Sequence, residues 1–457
     1  MRFAIATLGC KVNQYDSAII GARLDALGME RREFDQPADV YIVNTCTVTD
    51  RADAESLRLA RRARRLNPNA RIIMTGCLAQ ANPGVLARAP EVDAVVGLGR
   101  PGDLERAAMG SADDRVMVSD LRKQRAAIEL GAVTLEGHTR AFLKLQEGCD
   151  QFCTFCIVPF SRGQSRSVEP RRVLAAIDEL AACGFKEVIL SGVHLGGYGK
   201  DLAPAIDLAA LLEMIAERAP IGRIRLSSID PEELSDRIIS IVAQSGKFCP
   251  HFHLPLQAGE DWLLSRMRRR YTTTQFRERV ERVIAAMPDA AIGTDLIVGF
   301  PGETARHFDY CHAFAASLPL AYFHVFPYSV RAGTTAAKFG GRVKPDEIRR
   351  RAALMRELGE AKRQAFVRRF IGARLEVLVE EEAGEGRLSG YSRNYIRVLT
   401  YGSAELSNRE IEVEASLVEG AQLVGQMVRT CDPPGGGAAV GGGAGTEQRR
   451  APEHAGI

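Results

Sequence analysis

The sequence lacks any apolar run close to the ~20 residues that a membrane-spanning helix requires, and its N-terminus has too short an apolar segment for a signal peptide. It also has little net charge, +3 over 457 residues. This balance neither requires nor excludes a nucleic-acid partner, so evidence for nucleic-acid binding has to come from local basic stretches. These absences predict a cytoplasmic protein that does not associate with a membrane.

Structural disulfides are not expected either, because the cytoplasm keeps thiols reduced. The chain nevertheless has ten cysteines. In that compartment, thiols serve more often as metal ligands, catalytic groups or small buried side chains. Six of the ten lie where ligands are expected, whereas Cys183 and Cys311 are predicted to be core residues on helix faces.

The fold class predicted from hydrophobic patterning is α/β, followed by a small all-β domain. Residues 1–125 alternate strand and helix patterns and predict a flavodoxin-like or Rossmann-like parallel sheet. Residues 135–370 contain six further β/α units, which predict a partial TIM-like barrel. Residues 371–431 predict a small barrel of OB type, and residues 432–457 are Gly/Ala/Pro-rich and are expected to be disordered.

Ten strand candidates support this division. In the N-terminal sheet they are Phe3 to Leu8, Val40 to Val43, Arg71 to Met74 and Val92 to Val96. In the barrel they are Ala141 to Gln146, Glu187 to Leu190, Arg223 to Leu226, His251 to Leu254, Ala291 to Val298 and Ala321 to Phe326.

The strongest signal is a C-x3-C-x2-C run, Cys149, Cys153 and Cys156, directly after a predicted strand. Three thiolates on one short loop can hold three irons of a [4Fe–4S] cubane and leave the fourth iron open to a substrate. The alternatives are a zinc site or three incidental buried cysteines. Zinc normally requires a fourth His or Cys close by, and the nearest downstream histidine is His194.

A second trio, Cys10, Cys46 and Cys77, is widely spaced, but each member follows a predicted parallel strand by two or three residues. Because the carboxyl ends of parallel strands lie at one edge of a sheet, we expect the three thiols to converge there. Gly9 and Gly76 would let the backbone approach a bulky cluster. Three coincidentally buried cysteines remain the alternative to a second cubane with an open iron.

Several segments together carry a family resemblance. They are GCKVNQ (Gly9 to Gln14), NTCTVT (Asn44 to Thr49), GCLAQ (Gly76 to Gln80), EGCDQFCTFCIVP (Glu147 to Pro159), HLGGYG (His194 to Gly199) and FHVFPYSVRAGT (Phe323 to Thr334). With the order of the domains, they resemble the radical S-adenosylmethionine methylthiotransferase family from Met1 to about Cys431. The first, second, fifth and sixth segments most resemble the branch that acts on N6-threonylcarbamoyladenosine in tRNA.

The resemblance implies two [4Fe–4S] clusters and S-adenosylmethionine as cofactors, and chemistry carried by the clusters without a named catalytic side chain. In that family, the Cys149 cluster cleaves S-adenosylmethionine to a deoxyadenosyl radical, which abstracts hydrogen from C2 of the adenine. The second cluster presents the sulfur that is methylated and transferred. The implied partners are a tRNA with N6-threonylcarbamoyladenosine at position 37 and a reducing electron-donor protein; the sulfur source stays open.

The resemblance also implies that S-adenosylmethionine lies at the strand ends of the barrel. The side chains and backbone groups placed there are Phe155, Ser191, Gly192, Ser227, Ser228, Gln257 and Val298. Simple packing would explain Phe155 and Val298 equally well, and Gly-rich strand ends also occur as plain turns. Ala258 stands where the family pattern has serine, which puts cofactor binding by that loop in doubt.

Three histidines near strand ends, His194, His251 and His253, are candidates for catalytic acids or ligands. A histidine in such a position is more often a hydrogen-bonded core or lining group. The sequence alone does not decide between these roles.

RNA contacts are predicted at two basic runs and in the C-terminal barrel. The runs extend from Arg58 to Arg65 and from Arg266 to Arg270 and could follow phosphates, although charge runs are usually solvated faces. The barrel resembles the TRAM module, in which Arg393, Tyr395 and Arg397 would offer stacking and phosphate contacts. Small barrels also serve as structural caps.

Two further functions are compatible with these patterns. The same chemical core could act on isopentenyladenosine in tRNA or on a ribosomal-protein aspartate. A more distant alternative is a zinc-ligated RNA-binding protein that performs no chemistry.

Overall fold

The computed structural model describes residues 1–100, 102–112, 114–123, 128 and 139–431. The chain divides into two compact units, Met1–Gly359 and Glu360–Ile457. Among the described residues, no helix is both long and apolar enough to cross a bilayer. The segment 432–457, for which disorder is expected, lies outside the described residues.

The first unit begins with a six-stranded parallel sheet of order β2-β1-β3-β4-β5-β6. Its strands are β1 (Arg2–Thr7), β2 (Glu30–Arg32), β3 (Val40–Thr45), β4 (Arg71–Gly76), β5 (Ala94–Val96) and β6 (Val116–Met117). Its helices are α1 (Lys11–Ala26), α2 (Asp50–Leu66), α3 (Cys77–Ala81), α4 (Pro83–Ala87) and α5 (Asp103–Met109). The first five strands have the flavodoxin-like order, with the topological switch point between β1 and β3.

The central strand of this sheet shows why the elements form. Every residue of β3 is buried, and its apolar run is typical of a parallel strand covered on both faces. After β3 the chain enters α2, where the Thr49 side chain accepts a hydrogen bond from the Ala52 amide. Asp50 and Asp53 in the first turn favour the positive end of the helix dipole. The sequence patterns missed β2 and β6, which are too short to show a period.

A partial barrel follows in the same unit and confirms the prediction of six parallel strands. The strands are β7 (Arg140–Glu147), β8 (Arg166–Ser167), β9 (Glu187–Gly192), β10 (Arg223–Leu226), β11 (His251–His253), β12 (Ala291–Val298) and β13 (Tyr322–Pro327). They form sheets of order β10-β9-β7-β8 and β11-β12-β13, joined by isolated parallel bridges such as Ser228 to His253. The short β8 pairs antiparallel with β7 and was not predicted.

The helices of this region cover the barrel strands. They are α6 (Val158–Arg162), α7 (Pro170–Ala182), α8 (Leu208–Arg218), α9 (Asp236–Gln244), α10 (Asp261–Arg266), α11 (Thr273–Ala286), α12 (Ala305–Ser317) and α13 (Pro345–Arg368). A continuous apolar core of strand and helix residues fills the space between them.

The second unit contains a closed five-stranded barrel of order β14-β15-β16-β18-β17. The strands are β14 (Arg374–Glu382), β15 (Arg387–Ser392), β16 (Arg397–Tyr401), β17 (Glu410–Glu419) and β18 (Gln422–Thr430). All its neighbours pair antiparallel except β16 and β18, which are parallel. Five strands and full closure agree with the predicted OB-type barrel.

Candidate active site

Cys149, Cys153 and Cys156, here called the loop trio, lie between β7 and α6. The Cys149 amide donates to the Gly163 carbonyl, and the Cys156 amide to the Cys153 carbonyl, both at 3.0 Å. Gly148 directly precedes the trio with φ of +75°, and a Cβ there would come within 2.0 Å of the Gln164 carbonyl oxygen. Tight backbone contacts thus fold this segment into one compact loop.

The thiols of the loop trio are close enough to affect one another. Burial raises the pKa of Cys149 to about 12 and also raises that of Cys156, and the neighbouring Cys153 adds to both effects. Arg269 donates to the Cys153 sulfur at 3.4 Å, and the Gln151 amide lies 3.5 Å from the Cys149 sulfur. A metal deprotonates the thiols that it binds, and these donors would then stabilise the resulting thiolates.

Cys10, Cys46 and Cys77, here called the strand-end trio, are brought together by the parallel sheet. Cys10 precedes α1, Cys46 follows β3, and Cys77 is the first residue of α3. Their parent strands β1, β3 and β4 are neighbours. Burial raises the pKa of Cys46 to about 12, and the adjacent Cys77 and Cys10 thiols raise it further. Because Cys10 follows β1 and Cys46 follows β3, these two cysteines flank the switch point between the two strands, where α/β sheets bind ligands.

Gly9 and Gly76 are needed for contacts within the chain. A Cβ at Gly9, where φ is +97°, would lie 2.8 Å from the Cys46 Cβ. A Cβ at Gly76, where φ is +90°, would lie 2.5 and 2.6 Å from backbone atoms of Thr45. Both glycines thus allow close approach to the end of β3, and close approach to a cluster stays a prediction.

Two polar side chains hold the strand-end trio in place, and sequence reasoning missed both. The Thr45 hydroxyl donates to the Thr75 carbonyl at 2.5 Å and accepts from the Leu78 amide at 3.1 Å, at the start of α3. The Asn13 amide donates to the carbonyls of Leu8 and Thr45 at 2.7 and 3.0 Å. Their presence inside the motifs NTC and KVNQ was the available signal.

The sulfur spacing bears on the type of metal centre. Among the described residues, the groups of three or more potential ligand atoms within 4.8 Å of one another are His253 with Asp295 and His324, and His194 with Asp230 and Glu233. Neither cysteine trio is as compact as that. Three sulfurs on one tetrahedral zinc would lie about 3.8 Å apart, given Zn–S bonds of about 2.3 Å. A single zinc would therefore need the sulfurs of either trio to move closer together.

Two serine hydroxyls at the strand ends of the barrel are suited to a ligand. The hydroxyls of Ser191 on β9 and Ser227 just after β10 are buried and have no hydrogen-bond partner among the described residues. A buried, unpaired hydroxyl costs about 1–3 kcal/mol, so a ligand that satisfies both would be favoured. Gly192 adjoins the first serine. Ser228, by contrast, is exposed.

The other predicted cofactor contacts occupy different surroundings. Phe155 is half-buried and packs against the barrel core, and Val298 is buried within that core. Gln257 has φ of +63°, and its backbone amide and carbonyl pair with Asp295 and Ile297 of β12. The structure therefore places Phe155 and Val298 where packing alone would explain them.

The histidines near strand ends are all hydrogen-bonded. His194 lies 2.8 Å from a Glu233 carboxylate oxygen, and His251 lies 2.8 Å from the Tyr322 hydroxyl. Asp295 sits between His253 and His324, at 3.0 and 3.1 Å. Burial and nearby cations lower the pKa of His251 well below its usual value, so its ring is neutral. Sequence reasoning did not single out Asp295 or His324.

The expectation of RNA contacts along Arg266 to Arg270 is wrong for Arg269. The Arg269 side chain is only 6% exposed and pairs with Asp230 as well as donating to Cys153. Arg266 is half-buried and lies over the rings of Trp262 and Phe339, so an RNA contact by this side chain stays a prediction. In the other run, Arg58, Arg61 and Arg64 form ion pairs with carboxylates of the same unit.

In the second unit, the predicted RNA contacts lie near one another on the barrel. Tyr395 stacks on Tyr391 with ring centroids 5.0 Å apart. Arg393 lies 3.5 Å from carboxylates of Glu376 and Glu410, and Arg397 pairs with Glu381. The arginines would have to exchange these partners for phosphates.

Two cysteines outside the trios, Cys311 and Cys183, differ in burial. Cys311 is buried on α12, as expected. The expectation for Cys183 is wrong: this residue is exposed and lies just beyond the end of α7, where the helix no longer covers it.

Family models and curated relatives match most of the chain. The model described as "Uncharacterized protein family UPF0004" matches residues 2–97, and that of the radical SAM superfamily matches residues 143–315. The threonylcarbamoyladenosine tRNA methylthiotransferase MtaB of Bacillus subtilis is 36% identical over 94% of this chain and 97% of its own length. The chain belongs to the radical S-adenosylmethionine methylthiotransferase family.

Further relatives of this methylthiotransferase come from two branches. The MtaB protein of Aquifex aeolicus is 37% identical over 89% of this chain and 98% of its own length. The tRNA-2-methylthio-N(6)-dimethylallyladenosine synthase of Parafrankia is also 37% identical, over 86% of this chain and 81% of its own length. Percentage identity alone therefore does not separate the branches.

A solved structure shares the fold of this methylthiotransferase. The radical S-adenosylmethionine methyltransferase TsrM from Kitasatospora setae superposes with a TM-score of 0.52 over 71% of this chain and 74% of its own, at 16% identity. As a radical S-adenosylmethionine enzyme, the chain uses S-adenosylmethionine and a [4Fe–4S] cluster.

Proposed function

We propose that this enzyme methylthiolates C2 of N6-threonylcarbamoyladenosine at position 37 of tRNA, forming 2-methylthio-N6-threonylcarbamoyladenosine. The observation that carries the proposal is the presence of two cysteine trios in one compact unit, in a chain whose curated relatives include threonylcarbamoyladenosine tRNA methylthiotransferases over nearly full length. One trio suffices to cleave S-adenosylmethionine; a second is required if the enzyme also delivers sulfur.

We assign a [4Fe–4S] cluster to each trio, the loop trio binding the one that contacts S-adenosylmethionine. Three thiols per site leave one iron open in each cluster. The donors aimed at Cys153 and Cys149 fit thiolates that bind a metal cluster. When bound, the clusters and S-adenosylmethionine supply the radical and sulfur-transfer chemistry, while the protein supplies orientation and excludes water.

Within this assignment, the barrel residues bind and orient the cofactor. The unpaired hydroxyls of Ser191 and Ser227 are the donors that we place against S-adenosylmethionine, together with the backbone at Gly192 and the side chain of Gln257. Phe155 and Val298 would contribute apolar surface beside it. Ser228, which is exposed, is left with a peripheral role.

The second unit would bind the tRNA. The stacked pair Tyr391 and Tyr395 offers a face on which a base can stack, and Arg393 and Arg397 carry the charge that phosphates require. An electron-donor protein must reduce the cluster in the loop trio.

Nucleoside analysis of tRNA from cells that lack this protein tests the proposal. We expect 2-methylthio-N6-threonylcarbamoyladenosine to disappear and its unmethylthiolated precursor to accumulate, while 2-methylthio-isopentenyladenosine is unchanged. Complementation with the wild-type chain should restore the product, whereas the Cys46→Ala chain should not. Loss of the isopentenyl product alone would assign the enzyme to the branch of the Parafrankia relative, and an unchanged tRNA would overturn the proposal.

A further inference from the structure

A largely buried charge network joins the strand-end trio to β7 and α6, the two elements on either side of the loop trio. It consists of Asn13, Asp16, Lys144, Glu147 and Arg162, all within the first unit. Lys144 donates to carboxylate oxygens of Asp16 and Glu147, both at 2.6 Å. Arg162 donates to the same two carboxylates at 2.6 and 3.0 Å. Two cations thus face two anions, so that the network is neutral overall.

Arg162 differs from Lys144 because it also contacts a cysteine. Its Nε lies 3.2 Å from the Cys77 sulfur, and its Nη2 donates to the Asn13 side-chain oxygen. The Arg162 side chain is 3% exposed. Water therefore cannot replace these hydrogen bonds, and the planar guanidinium reaches all of its partners in one fixed orientation.

The position of Arg162 in the chain connects it to both trios. It is the last residue of α6, the helix that follows the loop trio, while Glu147 ends the strand that precedes that trio. Asn13 and Asp16 lie on α1, which begins directly after Cys10. One side chain therefore binds both the barrel loop and two of the three segments that carry the strand-end trio.

A hydrogen bond to a ligand sulfur affects an iron-sulfur cluster in a known direction. Reduction adds an electron to an already anionic centre, and N–H donors to its sulfurs stabilise the reduced form. Because the two carboxylates already balance the two cations, the feature unique to Arg162 is its donor on Cys77. A substitution that neutralises Lys144 removes the same charge but no hydrogen bond to a sulfur. Comparing it with a substitution that neutralises Arg162 therefore separates the effect of the hydrogen bond from the effect of charge.

We propose that Arg162 is a positioning residue that links the two trios and, through its hydrogen bond to Cys77, makes the cluster of the strand-end trio easier to reduce. This inference rests on the proposed function, because that function assigns the second cluster. It adds that Arg162 raises the midpoint potential of that cluster and links the strand-end trio to the barrel.

The test uses the full-length chain with Cys149, Cys153 and Cys156 changed to alanine, so that only the strand-end trio can bind a cluster. After anaerobic reconstitution, iron and sulfide are measured, and the midpoint potential is determined by redox titration with electron paramagnetic resonance. Arg162→Gln and Lys144→Gln each remove one positive charge from the same network. The proposal predicts that the midpoint potential shifts more in Arg162→Gln than in Lys144→Gln.

We expect Arg162→Gln to lower the ratio of reduced to oxidised cluster at the wild-type midpoint about tenfold, which is about 59 mV for a one-electron couple. Lys144→Gln should change the ratio by less than half as much on the logarithmic scale. Equal shifts in the two variants, or no shift in Arg162→Gln, would overturn the proposal.

Arg162→Lys covers the case in which Arg162→Gln does not retain iron. It keeps the charge but loses the planar fork, so the cluster should be retained with a smaller shift in the same direction. Iron loss from Arg162→Lys as well as from Arg162→Gln, or an unchanged potential in Arg162→Lys, would overturn the proposal. If the chain with an intact Arg162 bound no cluster, the second cluster of the proposed function would fail instead.

Discussion

The loop trio and the strand-end trio each consist of three cysteines, but the two sets are assembled in different ways. Cys149, Cys153 and Cys156 lie on one loop, whose shape depends on local backbone hydrogen bonds. The strand-end trio comes from residues 10, 46 and 77, and only the pairing of β1, β3 and β4 brings its sulfurs together. The comparison shows that two sets of three cysteines can differ in how far their assembly depends on the fold.

Cys153→Ala should have the largest effect. It removes one proposed ligand of the cluster that contacts S-adenosylmethionine, so both cofactor cleavage and tRNA methylthiolation should fall below detection. Iron analysis and the release of 5′-deoxyadenosine measure the two effects. Cys183→Ala is the matched control, since this exposed cysteine belongs to neither trio, and it should retain full activity. Cofactor cleavage by Cys153→Ala at the wild-type rate would contradict the assignment of the loop trio.

Cys46→Ala should separate the two sites. We expect methylthiolation to be lost while S-adenosylmethionine is still cleaved, because the loop trio is intact. Iron content should fall by about half, as four of about eight irons are lost. The two activities should be followed in the same preparation by nucleoside analysis and by 5′-deoxyadenosine release. Full iron content in this variant would show that Cys46 is not a ligand.

Gly76→Ala tests whether the strand-end trio depends on the packing of its strands. The new Cβ would meet the Thr45 backbone at a positive φ, which should destabilise the first unit by about 3 kcal/mol. Urea unfolding measures the loss, and iron should be lost mainly from the strand-end trio. Gly28→Ala is the control: its φ is also positive, at +75°, but a Cβ there meets nothing within 4 Å. It should cost only about 1 kcal/mol.

The smallest effect is expected in the second unit. Arg393→Ala should weaken tRNA binding only several-fold and reduce the slope of log affinity against log salt by about 1, since one phosphate contact is lost. Binding titrations at several salt concentrations measure both quantities. Arg374→Ala removes an exposed arginine of the same barrel, paired with Glu414, and should leave the slope unchanged. Equal slopes for wild type and Arg393→Ala would exclude this contact.

The strands that position both trios could be predicted because their apolar runs are long. β3 and β7 are examples, whereas β2, β6 and β8 contain only two or three residues and have no readable period. The contacts around the cysteines were harder to predict from the sequence. Arg269 looked like part of a basic surface run, yet its side chain is buried against Asp230 and Cys153. Its partners are distant in sequence, and a linear pattern of charge does not reveal burial.

The sequence alone determined the cysteine spacing of the loop, the alternation of strands and helices, and the family that the motifs resemble. These features are local, and residue type and period express them directly. The tertiary structure decided which polar groups face the sulfurs: Arg162 on Cys77, Arg269 on Cys153, and the unpaired Ser191 and Ser227 at adjacent strand ends. Such contacts depend on strand order and on burial, which arise only when distant segments pack together.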